Sequence, residues 1–212
     1  MTMKPSVGGE YYCNTAAMRN FIEAVQAELQ RANGHAELVR ALRPSFAELL
    51  EDQAWLPAEF RADNPQGGMG GGIASWLLYR SADRNLTLMS LVVPSGSQTP
   101  IHDHLAWGLV GLYRGQQDED VFRRTDDAAM EGVANLELSE QRKLERGSFY
   151  DLLPPEGDIH RVRTTSAESS ISIHLLGNDV GCVQRHSFEP TIEAVAEFRS
   201  GYSNVDCENK LG

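Results

Sequence analysis

Between Thr15 and Gln30, apolar Phe21, Ile22, Val25 and Leu29 recur at spacings of one, three and four, the stripe of an amphipathic helix. Leu38 to Leu50 repeats the pattern with Val39, Leu42, Phe46 and Leu49. Asn14-Thr15 offers a cap for the first helix, and Asn33-Gly34 a stop between the two. The pattern predicts two helices packed on one side of a core, within an N-terminal helical segment over residues 1–60. It then breaks. Asn64-Pro65-Gln66-Gly67-Gly68-Met69-Gly70-Gly71-Gly72 holds five glycines in six positions, too much backbone entropy for a helix or strand. With neither GK[ST] nor GxGxxG it is no phosphate cradle, and it reads as a connection or a lid over a site.

From Ile73 onward the texture is short β-type runs. Ala74 to Tyr79, Leu86 to Val93, Trp107 to Tyr113, Asp120 to Arg124, Leu136 to Leu138, Phe149 to Leu152, Arg161 to Thr165 and Ser170 to Leu176 qualify. Turn signals separate them at Pro94-Ser95-Gly96, Arg114-Gly115, Arg146-Gly147, Pro154-Pro155-Glu156-Gly157 and Gly177-Asn178-Asp179. About eight such strands predict a mainly β barrel or double-sheet jelly roll over residues 61–190. Thr191 to Phe198 reads as a last short helix in a C-terminal helix and tail, residues 191–212, of what is one domain in all.

Composition narrows the function. At 212 residues the chain suits one good-sized domain, and its net charge of −11 repels phosphate backbones, so nucleic acid is excluded as a partner. No apolar run approaches the roughly 18 to 20 residues of a membrane span, and no basic-then-apolar leader opens the chain. Cys13, Cys182 and Cys207 are odd in number and lack a CxxC pair, which is neither a disulfide framework nor a zinc knuckle and suits a reduced, cytoplasmic location.

Six histidines carry the candidate chemistry: His35, His102, His104, His160, His174 and His186. In an extended Ile101-His102-Asp103-His104, both imidazoles point to one face and Asp103 to the other, so two neutral nitrogens can share a metal ion. Gly96 and Gly115 bound this pair with tight turns. Gly147 begins a run that ends in Pro155-x-Gly157-x-x-His160, a histidine just after a rigid turn and a natural third ligand. His174 alternates with Ser172 on an otherwise apolar strand, a pattern that fits a satisfied core histidine as well as a functional one. His35 and His186 read as surface residues, Trp107 as structural, and Asp158 as a turn residue rather than a partner of a ligand. Arg123, Arg124, Arg161 and Arg163 read as solvated strand faces.

Gly96-(x)5-His102-x-His104, Gly115, Gly147 and Pro155-x-Gly157-x-x-His160 together resemble the two motifs of the cupins. With Trp107 to Gly115, Asp158-Ile159-His160-x-Val162 and Ser170-Ile171-Ser172-Ile173-His174, the chain is similar to the cysteine dioxygenase family, particularly its bacterial thiol dioxygenase branch that includes 3-mercaptopropionate dioxygenases. The resemblance covers roughly residues 73 to 190. It implies a cupin double-stranded β-helix with N-terminal helices packed on it. It also implies a mononuclear Fe(2+) site on His102, His104 and His160, and catalytic roles for His174 and Ser172, Ser172 holding the imidazole tautomer. Arg185, eleven residues after His174, would bind a substrate carboxylate.

Two departures stand out. Cupins generally carry a Glu four or five residues after the second histidine, where this chain has Gly108 and Leu109; the family's relay tyrosine is here Leu176. The resemblance thus implies a three-histidine site with no carboxylate ligand, oxidising the thiol of a small thiol carboxylic acid with O2 to a sulfinic acid. The expected partners are that thiol acid and O2, with no nucleic acid and no membrane, in a monomer or homodimer. Other three-histidine cupin chemistry stays open, whether oxidative carbon–carbon cleavage or zinc- or manganese-dependent hydrolysis or isomerisation, because imidazole suits several metals. So does a non-catalytic cupin that binds metal or ligand.

Overall fold

The computed structural model describes residues 8–67 and 69–207, so Gly68 of the glycine run lies outside the described residues. Helices α1 (Ala16–Arg31) and α2 (His35–Glu51) form where the apolar stripes predict them. α1 buries Met18, Phe21, Ile22 and Val25, and α2 buries Leu38, Val39, Leu42, Phe46, Leu49 and Leu50. Phe46 links the layers, lying 5.8 Å from Phe21 on α1 and 5.7 Å from Phe149 in the sheet beneath.

Among the described residues there are twelve strands, the first ahead of the helices: β1 (Gly9–Tyr11), β2 (Ala74–Ser81), β3 (Thr87–Val93), β4 (Ile101–His102), β5 (Gly108–Arg114), β6 (Gln116–Arg124), β7 (Leu136–Glu145), β8 (Phe149–Leu152), β9 (Ile159–Thr164), β10 (Ser170–Leu176), β11 (Arg185–Glu189) and β12 (Ala194–Phe198). They make two antiparallel sheets, ordered β1-β2-β3-β10-β5-β8 and β12-β11-β4-β9-β6-β7. The central eight, β3 to β10, interleave between sheets as two Greek keys do in a jelly roll, the double-stranded β-helix expected from the sequence. β1 and β2 widen one sheet; β11 and β12 widen the other.

The helix-bearing sheet is buried on both faces, which explains why its strands are apolar runs rather than alternations. On β10, Ile171, Ile173 and Leu175 join the cluster under the helices. Ser172, His174 and Leu176 alternate to the interior, where Leu176 packs with Met89, Leu91, Ala106 and Val162. A fully buried Leu, Ile, Val or Met side chain contributes about 1.5–3 kcal/mol.

Three expectations need correction. Thr191–Phe198 is not a helix: Pro190–Ile192 make one 3-10 turn, and β12 pairs with β11 from Glu189↔Ala194 to Arg185↔Phe198. Alanine and glutamate favour a helix there, but the open edge of β11 offers a ladder that satisfies both backbones, and tertiary pairing overrides propensity. β7 extends the predicted Leu136–Leu138 by seven residues; its exposed polar positions carry no hydrophobic signal, and the hairpin ladder with β6 holds them. Finally, Cys182 and Cys207 form a disulfide, their Cα atoms 5.2 Å apart. The C-terminal segment folds back across β2, with Ser203 and Asn204 bonded to Ser75 and Leu77, and so meets the loop before β11. The pairing removes the cysteine argument for a reduced compartment. No described helix is long and apolar enough to cross a membrane.

Candidate metal centre

β4 lies between β11 and β9, and His102 stands directly opposite His160 in register. His104 follows on the same face, while Asp103 turns the other way, as alternation requires. The three rings gather at centroid distances of 5.1, 4.9 and 4.8 Å. One ring nitrogen of each lies within 4.8 Å of the others, and all three residues are buried.

Each ring is held from behind. His102 Nδ1 faces the carbonyl of Pro100 at 2.9 Å, His104 Nδ1 that of Asp158 at 3.4 Å, and His160 Nδ1 the Glu119 carboxylate. That leaves Nε2 of each as the unpartnered donor atom. Burial, reinforced by the neighbouring histidines and Arg185, pushes His102 and His104 well below the usual histidine range. Three buried imidazoles, each held through Nδ1, fit a divalent transition metal.

A carboxylate ligand after the second histidine would clash unless β5 moved away from β10. Gly108 faces the interior, but a Cβ there would lie 2.2 Å from the Leu175 carbonyl oxygen; Leu109 points to the helices. The turn after His104 is instead built around Asp158. Its buried carboxylate accepts the backbone N–H groups of His104 at 2.9 Å and Leu105 at 3.1 Å, holding Leu105 at φ +54°. Asp158 is therefore a partner of the segment that carries His104, against the expectation of a plain turn residue. Burial raises its carboxyl above the usual range.

Facing this cluster from the opposite sheet is His174, its ring centroid 6.3 Å from that of His104. Ser172 Oγ lies 2.8 Å from His174 Nε2. Burial pushes His174 down to about 3, so it is neutral. Leu176 stands next on the same face, within the apolar wall.

Arg185 is buried at 3% exposure rather than on the surface. Its Nε donates to Val180 O (3.0 Å), Nη1 to Asp103 O and Nη2 to Ser200 Oγ (3.0 Å). One N–H remains on each terminal nitrogen. Ser200 belongs also to the wall of a cavity of about 260 Å³, between Asn64, Gln66 and Met69 on one side and Tyr202 and Ser203 on the other. Arg185 thus joins the histidine strand to that cavity.

The remaining residues sort plainly. His186 is half-exposed, its Nδ1 2.6 Å from Asp103. His35 is exposed and stacks on Trp107, which packs over Gly177. Arg123, Arg124, Arg161 and Arg163 pair with Glu137, Asp126, Asp120 and Asp118 on strand faces and a neighbouring turn. Sequence reasoning missed Glu119, Tyr150 and Arg142. A signal existed: on β6, Gln117, Glu119 and Val121 are buried while their neighbours are not, which puts a carboxylate on the inward face.

Jelly-roll strand order and a three-histidine cluster from β4 and β9 now stand together. This is the cupin fold. No protein-family model matches the chain. Among solved structures, it is similar to an acetylacetone dioxygenase from Acinetobacter johnsonii at 17% identity and a TM-score of 0.43, over 68% of this chain and 83% of that one. A cupin_2 domain of an XRE family transcriptional regulator from Enterobacter cloacae matches at 16% identity and 0.34, over 49% and 94% of the two chains. An RmlC-like cupin protein from Desulfovibrio desulfuricans matches at 15% and 0.34, over 50% and 82%. The fold rests on the strand order and the site on its geometry.

Proposed function

We propose that this protein is a mononuclear non-haem iron(II) dioxygenase that oxidises the thiol of a small thiol carboxylic acid, of the 3-mercaptopropionate or cysteine type, to a sulfinic acid. The observation that carries the reading is the cluster of three buried imidazoles, each held through Nδ1, with no room for a carboxylate ligand at Gly108. His102, His104 and His160 would hold ferrous iron, which would supply the chemistry for a balanced conversion of thiol plus O2 to sulfinic acid. With no carboxylate ligand, the ion keeps more positive charge and favours an anionic substrate.

The chain's own residues supply the rest. Arg185 offers one N–H on each terminal nitrogen, a match for the two oxygens of a carboxylate. His174, neutral and oriented by Ser172, stands across the interior as a hydrogen-bonding group beside the reacting sulfur. Met89, Leu91, Val162 and Leu176 exclude water from it.

A second reading, a three-histidine cupin with other chemistry, is favoured by two observations. The wall beside His174 is apolar at Leu176, and three Arg185 donors are already engaged by protein. Metal analysis, with oxygen uptake on a panel of thiol acids after anaerobic ferrous loading, separates the two. Stoichiometric iron with thiol-dependent uptake and a sulfinate product is expected. Iron without uptake on any thiol moves the reaction to non-sulfur substrates, and tightly held zinc that iron cannot displace overturns the dioxygenase reading.

A further inference from the structure

The carboxylate that the ligand set lacks stands one imidazole away. Glu119, on β6, is 1% exposed. Its Oε1 accepts from His160 Nδ1 and from the Tyr150 hydroxyl at 2.6 Å; its Oε2 lies 3.4 Å from Arg142 Nη1. The Arg142 guanidinium covers the Tyr150 ring at 4.8 Å and donates to Glu140 at 2.6 Å, so the chain of contacts runs from the histidine to the surface of β7.

A buried carboxylate is costly unless fully hydrogen-bonded. A structural ion pair with Arg142 does not account for this one: that contact is long, and Arg142 is bonded more closely to exposed Glu140. The short contacts go to His160 and Tyr150. His160 also differs from its two fellow ligands. His102 rests on a neutral carbonyl, and the Asp158 carboxylate near His104 is committed to two backbone N–H groups.

We infer that Glu119 is the positioning residue of the metal centre: it holds His160 with Nδ1 protonated and Nε2 toward the ion, and places one buried negative charge behind that imidazole. Tyr150 and Arg142 keep the carboxylate in place. A metal held there would thereby gain part of the charge compensation of a carboxylate ligand without a fourth protein ligand. This rests on the three-histidine metal reading and is independent of the thiol substrate.

The test is Co2+ titration of the full chain, followed by visible absorption and by competition with a chelator, with the metal-induced rise in Tm as a second readout. Glu119→Gln, which is isosteric, is expected to weaken Co2+ binding about 10- to 100-fold and to shift the cobalt absorption bands. Tyr150→Phe is expected to weaken binding by less, with a smaller shift; Arg163→Ala, on the outer face of β9, is expected to change neither. A Glu119→Gln protein that binds Co2+ within twofold of wild type, with unchanged bands and the full metal-induced rise in Tm, overturns the inference. If that variant does not fold, unchanged affinity and bands in Tyr150→Phe overturn it instead. A wild-type chain that His160→Ala leaves unaltered in Co2+ binding overturns the metal reading as well, which separates the two failures.

Discussion

At the scale of single residues, the centre is a set of side chains held in place by protein partners before anything binds. Arg185 is the clearest case, because three of its donors are spent on Val180, Asp103 and Ser200 before any substrate arrives. That fixes the guanidinium and spares its ordering cost on binding. Arg185→Lys keeps the charge and loses the fork, so kcat/KM for a thiol acid is expected to fall about 10- to 100-fold, mostly through KM, with Co2+ affinity little changed. Steady-state kinetics alongside a Co2+ titration checks this; an unchanged KM removes Arg185 from substrate binding. The three histidines that cluster were legible from their spacing together with the turn glycines and the Pro155-x-Gly157 turn around them. Glu119 was not read out, because a lone glutamate among acidic neighbours looks like a solvated face until β6 is placed between β9 and β7. Asp158 was misread for a similar reason: its partners, His104 and Leu105, are more than fifty residues away in the chain.

At the scale of elements, β5 and β10 meet so closely that a side chain at one position would clash with the neighbouring strand. A Cβ on Gly108 would lie 2.2 Å from Leu175 O and 2.7 Å from a Leu176 methyl. Gly108→Ala is therefore expected to destabilise the fold by about 1–3 kcal/mol, the cost of overpacking, and denaturant unfolding measures it. A stability equal to wild type would mean that β5 can shift outward and that a carboxylate there is not excluded. The hairpin β11–β12 makes a complementary point. Its last strand was misassigned from sequence because Ala194, Ala196 and Glu197 are helix formers, and only the exposed edge of β11 makes the extended form better. Both helices, by contrast, were visible, because an apolar stripe at helical spacing is a local signal that the sheet merely receives.

For the whole molecule, two features tie stability to the centre. His174 is held neutral with its pKa lowered to about 3, mainly by burial. An unfolded histidine titrates near 6.5, so below that pH the unfolded chain takes up a proton that the native state refuses. Stability is thus intact above about pH 6.5 and falls as pH drops toward 3, by up to about 1.4 kcal/mol per pH unit for this one group. Urea unfolding of metal-free protein at pH 7, 6 and 5 should show that decline, and a flat profile would mean His174 is solvated. Bound metal should raise stability throughout, since it binds only the native state. The second feature is the Cys182–Cys207 disulfide, which closes 25 residues and pins the segment that carries Ser200 and Tyr202. Cys207→Ser is expected to lower stability by about 3 kcal/mol and to raise KM, because Ser200 no longer anchors Arg185. Equal unfolding midpoints with and without reductant would rule out a stabilising role.

Local patterns by themselves determined the helices, most of the strands, the mainly β class and the histidine set, since each depends on periodicity, turn glycines or fixed spacing within a few residues. Tertiary structure decided the rest. The strand identity of Ala194–Phe198, the cysteine pairing, the burial of Arg185 and the placing of Glu119 and Tyr150 behind His160 all depend on segments dozens of residues apart. Such contacts arise from the interleaving of strands between two sheets, and no spacing along the chain encodes which side chains then stand one hydrogen bond apart.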